Sequence, residues 1–211
     1  MRFKEITEAP LPADWENINT LSSFKKRIEF AKEKAKRVGT GSSRVAFSFP
    51  YEGRNAVIKI AKNRKGISQN EDEISLFNDW YLRDLDIFVP IIDHDENNTW
   101  LLVEHCEKAT DADFKRETGV THMELMNFII KLWREKERGG RHISPQDCNL
   151  DINTESRLFS GLEEFVINYS SEHVHVLLDA RALGNWGKFN GNLVIIDAGF
   201  TRSVQKTHYS R

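Results

Sequence analysis

Cysteine is nearly missing from this 211-residue chain: Cys106 and Cys148 stand 42 positions apart and form no C-x-x-C pair. Neither a disulfide framework nor a zinc site is therefore expected, and a reducing cytoplasm suits the composition. Long apolar runs are missing too. The first ten residues, MRFKEITEAP, carry Lys4, Glu5 and Glu8 where a secretory signal would be apolar. No later stretch approaches the ~20 apolar residues of a membrane span, so the chain is expected to be neither secreted nor inserted. An excess of one charge is also absent: 30 Lys and Arg oppose 32 Asp and Glu, for a formal net charge of -2. No global field draws such a molecule to nucleic acid or to an acidic membrane surface, and any basic site must be local. Repeats and low-complexity tracts are not found either. What is present is 39% apolar residues, enough at this length for one compact domain or a bilobal one.

The hydrophobic pattern changes character along the chain. Residues 1–36 read as a leader followed by an amphipathic helix, capped by Ser22 or Ser23, with Phe24, Ile28, Ala31 and Ala35 on one face. That helix is expected to lie on the following β-rich region or to mediate assembly. Residues 37–104 read as strands, at Val45–Phe49, Asn55–Ala61, Phe88–Asp93 and Trp100–Glu104, interrupted by one helix over Asn70–Leu82. Pro50-Tyr51-Glu52-Gly53 and Asp95-Glu96-Asn97-Asn98 supply turn chemistry, which predicts antiparallel hairpins. Residues 105–110 connect to a helical region over 111–211, where Met123, Met126, Phe128, Ile129, Ile130, Leu132 and Trp133 mark one helix and Leu158, Leu162, Phe165 and Val166 another. The expected class is α+β.

Asn190-Gly191 between apolar runs predicts a terminal β-hairpin, because both residues accept positive φ. With those two as the loop, Asn185 faces Ile196, beside Asp197. An amide oxygen and a carboxylate then converge at the open end of the hairpin, and both are hard ligands suited to magnesium. Two strand-end polar residues facing water would give the same pattern. Upstream, Val38-Gly39-Thr40-Gly41-Ser42-Ser43-Arg44-Val45 is a glycine and serine loop between strands, where backbone N–H groups can approach phosphate oxygens. Lys59 sits inside the apolar run Ala56–Ala61 and needs an anionic partner or a route to water. Glu73, ahead of Ile74 and Phe77, can supply the partner; a snorkelling lysine and an acid complementing a helix dipole are the ordinary alternatives. His173 and His175 alternate as on a strand face, and Asp147 and Asp151 bracket a polar loop; both sets are read as solvated.

In order and spacing these features resemble the protein-kinase fold. Gly39-Thr40-Gly41 is similar to its glycine-rich loop, with Ser42 and Ser43 beside it, and Ala56-Val57-Ile58-Lys59 to its V-A-I-K strand. Glu73 stands where the family's helix glutamate pairs that lysine. Leu101-Leu102-Val103-Glu104-His105-Cys106 resembles the hinge, implying adenine contacts from the main chain of Glu104 and Cys106. Asp197-Ala198-Gly199-Phe200 resembles the D-F-G motif, Asn185 the catalytic-loop asparagine, and Asp179 the catalytic aspartate. The resemblance spans Val38 to Phe200 and implies a two-lobed protein-kinase-like fold binding ATP and Mg2+. It implies a phosphotransferase with a Ser/Thr or small-molecule hydroxyl acceptor, or else a pseudokinase serving nucleotide binding or interaction.

The departures are specific. Arg44 and Val45 arrive one residue early and the third loop glycine is missing. Leu177 and Leu178 replace the usual His-Arg, and Asp179 to Asn185 is one residue longer than the family's spacing. Phe200 is followed by 11 residues, so no activation segment or peptide-docking platform is expected. Ile6-Thr7-Glu8 before Ala9 resembles the leader of tailed-phage head proteins cut after such a triplet, which implies capsid association and a virion location beside the host cytoplasm.

Overall fold

A computed structural model describes residues 11–169 and 173–209; the Ile6–Ala9 motif lies outside the described residues. The chain divides into two units. One holds the described residues up to Ile74 together with Pro90–His105, and the other holds Ser75–Val89 and the described residues from Cys106 onward.

The first unit is an antiparallel sheet of β1 (Lys36–Thr40), β2 (Arg44–Tyr51), β3 (Arg54–Ala61), β4 (Ile91–His94) and β5 (Trp100–Glu104), in the order β1-β2-β3-β5-β4. Side chains alternate along a strand, so each strand divides its residues between two faces. Val45, Phe47, Phe49 and Tyr51 of β2, Ala56, Ile58 and Ile60 of β3, and Trp100 and Leu102 of β5 form one apolar face, in a cluster with Trp15, Ile18 and Ala31. Helix α1 (Phe24–Lys34), capped by the Ser23 hydroxyl, covers this face with Ile28, Phe30 and Ala31. Trp15 stacks on Phe49 at 4.3 Å, and Trp100 Nε1 donates to Asn19 Oδ1 at 2.7 Å. Of the two expectations for the first helix, the structure places it on the sheet.

The opposite parity of β2 and β3 carries Arg44 and Lys59, and helix α2 (Arg64–Asn78) supplies their partner. This helix starts six residues before the expected Asn70 and ends before Leu82. Asn63 Oδ1 accepts the Gly66 N–H at 3.2 Å and opens the helix there. Asp79 then breaks it, its carboxylate accepting from the N–H groups of Tyr81 and Leu82 to cap α3 (Trp80–Asp84). The strand expected over Phe88–Asp93 is shorter, because Phe88 instead forms a parallel bridge with Ile195 in the second unit.

The second unit contains α4 (Asp111–Thr118), α5 (His122–Glu137), α6 (Arg157–Asn168), α7 (Val174–Asp179) and α8 (Arg202–His208). A sheet of β6 (Glu107–Lys108), β7 (Trp186–Phe189) and β8 (Asn192–Ile195) accompanies them. Phe114, Leu125, Phe128, Leu158, Leu162 and Phe165 lie in its core. Asn190 and Gly191 have φ of 51° and 84°, and the hairpin pairs Trp186 with Ile195, the register that their turn geometry predicts. The strand face read from His173 and His175 is instead the start of α7. Contrary to expectation, the hairpin is not the last element but is followed by α8, whose Thr201 cap accepts the Val204 N–H. An antiparallel sheet unit and a helix-rich unit in this order make up the α+β arrangement expected of a two-lobed protein-kinase-like fold.

Two consequences are measurable. A Cβ at Gly161 of α6 would stand 2.6 Å from Ile87 Cγ2 and 2.9 Å from the Leu85 carbonyl oxygen. Gly161→Ala should therefore lose ~1–3 kcal/mol by overpacking, read from urea unfolding; an unshifted midpoint contradicts this packing. Asp113, the buried acid in the capping box of α4, accepts from Thr110 and Arg116, which hold its carboxyl well below the usual carboxylate range. A depressed folded-state pKa contributes stability above the ordinary value near ~3.9, lost as pH falls through the folded value. Asp113→Asn should cost ~1 kcal/mol at neutral pH, with the gap from wild type narrowing below about pH 4; a gap constant down to pH 2 refutes the assignment.

Candidate functional site

Lys59 occupies the middle of an apolar strand, paired with Ala46 on one side and Leu101 on the other. It is 8% exposed, and its ammonium donates to Glu73 Oε1. Glu73, 4% exposed, lies in the third turn of α2, well past the positive end of the helix, so complementing the helix dipole is not its role. Its second oxygen accepts from Arg44 Nη1 at 2.7 Å, and Arg44 is itself 7% exposed. Arg44 Nη1 also donates to Asn70 Oδ1 at 3.1 Å, while Asn70 Nδ2 donates to the Asn98 carbonyl at 2.9 Å. One carboxylate thus serves two buried cations from adjacent strands. In the sequence Arg44 reads only as a residue that arrives one position early after the loop. The signal was present in parity: in the β2–β3 register Arg44 pairs Ala61, two residues from Lys59 on the same face.

The glycine and serine loop is tied down at several points. Gly41 N–H donates to the Arg44 carbonyl at 2.9 Å, Lys62 N–H to that of Ser43 at 2.7 Å, and Lys62 Nζ to that of Gly41 at 2.7 Å. Asn63 Nδ2 reaches the Ser42 carbonyl at 3.3 Å, and the Ser43 hydroxyl donates to Gln69 Oε1. Gly39 lies within β1 and Gly41 just beyond it; neither has positive φ, and an added Cβ would meet nothing nearer than 3.7 Å and 3.9 Å. The fold therefore asks for no special backbone freedom at these two. It does ask for a glycine at Gly66, where a Cβ would overlap the Ser43 carbonyl and lie 2.9 Å from Ala61 Cα.

Glu104 ends β5, and its N–H donates to the Pro90 carbonyl at 3.0 Å. Burial pushes its carboxyl above the usual range, against the pull of Arg54, whose Nη2 lies 2.9 Å from Oε1. Cys106, described with the second unit, is half-buried against Gly187, which has no room for a Cβ beside it.

In the second unit Asn185 closes a 3-10 turn, Leu183–Asn185, and its carbonyl accepts from Ile196 N–H at 2.9 Å, one step beyond the hairpin ladder. Its Nδ2 donates to the carbonyl of Asp179 at 3.0 Å and to Asp179 Oδ2 at 3.1 Å. Asp179 terminates α7. The next carbonyl, that of Ala180, accepts from His122 Nε2 at 2.9 Å and Trp186 Nε1 at 2.6 Å, so His122 carries its proton on Nε2 in this arrangement. Both donors are buried, and neither stands out in the sequence; His122 reads as the polar first residue of an apolar helix. Asp197 is half-buried, directly after Ile196.

A magnesium ion suits this donor set. The Asn185 amide spends its nitrogen on Asp179, which leaves the amide oxygen for a cation, and Asp197 adds a carboxylate one residue beyond the Asn185–Ile196 bond. Among the described residues no group of three His, Cys, Asp or Glu is placed to hold a metal. Magnesium commonly takes one or two protein carboxylates and completes its octahedron with phosphates and water.

No protein-family model matches the chain, and no curated protein matches it. Among solved structures, the apo form of a thermostable mutant of aminoglycoside phosphotransferase APH(4)-Ia is similar at 12% identity and a TM-score of 0.34, over 80% of this chain and 67% of that one. A ternary complex of such a mutant with ADP and hygromycin B is similar at 12% identity and a TM-score of 0.35, over 86% and 72%. A likeness of that size carries no functional conclusion.

Replacing Glu73 by glutamine would leave two buried cations facing a neutral amide. Glu73→Gln should lower stability by ~3–5 kcal/mol, visible as an earlier urea midpoint of the sheet unit. A midpoint within error of wild type would show that the two cations do not depend on this carboxylate.

Proposed function

We propose that this protein is an ATP- and magnesium-dependent phosphotransferase acting on a hydroxyl group of a protein or small molecule. The observation that carries the reading is the buried Lys59–Glu73 pair: a cation held rigidly within an apolar strand by a helix carboxylate. Burial makes such a charge expensive for the fold alone, and a phosphate-binding role gives it a use.

In this reading Lys59 holds the α- and β-phosphates and Glu73 fixes the direction of its ammonium. Gly39, Gly41, Ser42 and Ser43 line the phosphate side, and the main chain of Glu104 and Cys106 contacts adenine. Because the Glu104 N–H is already donated to Pro90, its carbonyl is the group assigned to the base. Asn185 Oδ1 and Asp197 hold magnesium, which when bound draws charge from the phosphate oxygens as the γ-phosphoryl group transfers. Asp179 accepts the proton of the acceptor hydroxyl. The acceptor oxygen forms its bond to the γ-phosphorus while the bond to the β-bridging oxygen breaks, and ADP leaves. Such chemistry asks the protein mainly for positioning and charge, which the pinned Asp179–Asn185 turn and the Lys59–Glu73 pair supply.

A nucleotide-binding domain without transfer is the second reading. It is favoured by the Asp179 carboxylate, which already accepts from the Asn185 amide, and by Leu177 and Leu178 ahead of it in place of the family's His-Arg. The capsid reading rests on Ile6-Thr7-Glu8 alone.

Calorimetric titration with Mg-ATP should show one site per chain, weakened ~10- to 100-fold in Lys59→Met. Label from γ-labelled ATP should pass to an acceptor in lysate with wild type and not with Asp197→Asn. Binding without any transfer selects the second reading, and no binding by wild type overturns both.

A further inference from the structure

The Gly39–Ser43 loop and the Lys59–Glu73 pair meet through a single side chain. Ser43 and Arg44 leave the loop and reach successive residues of α2: Ser43 Oγ donates to Gln69, and Arg44 donates to Asn70 and, one turn further on, to Glu73. All five side chains are at least nine-tenths buried. Arg44 also closes the loop through its main chain, where its carbonyl accepts the Gly41 N–H at 2.9 Å. The residue that shapes the loop is thus the residue that shares the carboxylate of Lys59. Close approach of α2 depends on Gly66, whose missing side chain leaves room for the Ser43 carbonyl.

We propose that Arg44 is a positioning residue that couples the conformation of the Gly39–Ser43 loop to the Lys59–Glu73 pair, so that the loop closes only when α2 presents Glu73 inward. The early arrival of Arg44 after the loop, out of step with the kinase pattern, then has a cause: it trades a third glycine for a cation that reads the helix. Arg44 touches no phosphate in this scheme and acts through Glu73 and the loop backbone. A planar guanidinium suits the task, since its donors are fixed relative to one another and it stays charged when buried. The coupling itself is independent of any ligand. Its effect on nucleotide affinity rests on the reading of this loop and Lys59 as a phosphate site.

Amide hydrogen exchange tests the coupling without nucleotide. Disturbing the carboxylate in Glu73→Gln, or the guanidinium in Arg44→Met, should speed exchange at the Gly41 amide by ~10-fold or more beyond the acceleration shared with amides of β5, which report unfolding of the whole sheet unit. Arg44→Lys, which keeps the charge and is the variant most apt to fold, should restore part of the protection. A Gly41 amide as slow in Arg44→Met, or in folded Glu73→Gln, as in wild type overturns the proposal. If Arg44→Met fails to fold, equal Gly41 protection in Arg44→Lys and wild type together with unchanged exchange in Asn70→Ala does the same. Mg-ATP affinity supplies the second arm: Arg44→Met should weaken binding in wild type but add no further loss in the Glu73→Gln background, whereas additive losses overturn the proposal. Accelerated loop exchange in a protein that binds no Mg-ATP would leave the coupling standing and remove the phosphotransferase reading instead.

Discussion

Two buried cations share one carboxylate, and much of the sheet unit is arranged around that arithmetic. Taking an ammonium or a guanidinium out of water costs several kcal/mol per ion, repaid only by close, well-directed partners. Glu73 meets both demands, and Asn70 takes up a remaining guanidinium donor. The requirement reaches back into the sequence. Arg44 and Lys59 must share a sheet face, α2 must run unbroken from Arg64 past Glu73, and Gly66 must stay small enough for the helix to sit against Ser43.

The second unit positions its acids through directed hydrogen bonds rather than through an ion pair. There the anchor is a carbonyl, that of Ala180, held by an imidazole and an indole that are themselves packed edge-on to Phe114. Directional donors on rigid aromatic rings fix the turn between Asp179 and Asn185 at little electrostatic cost.

Much of this was legible in the sequence where local chemistry decides structure. Asn190-Gly191 dictated a turn with both residues at positive φ, and with it the pairing of Asn185 and Ile196. Ser22 or Ser23 marked the start of α1, and Ser23 is the cap in the structure, while apolar runs bounded by turn chemistry marked β2, β3 and β5. The failures lie where partners are distant in sequence. The start of α2 has no local signature, because Gly66, a poor helix former, is required there by a carbonyl 23 positions earlier. His173 and His175 alternate like a strand, yet the apolar Val176 and Leu177 of the same segment are buried in the helical core, and that tertiary demand set the local conformation. Arg44, His122 and Trp186 carry no local mark of their roles, since each acts on a group that only folding brings near.

The sheet unit is discontinuous: the chain leaves it after Ile74 and returns at Pro90, and β3 finds its second neighbour only when Trp100–Glu104 arrives. During synthesis on a ribosome β2 and β3 can form their hairpin early, but one side of β3 then presents an unpaired edge with Ile58 and Ile60 on it. An open apolar edge of that kind is a template for pairing with another chain. The interval between the emergence of Ala61 and that of Glu104 is thus the window in which this protein is most exposed to aggregation, and in which a chaperone would matter most.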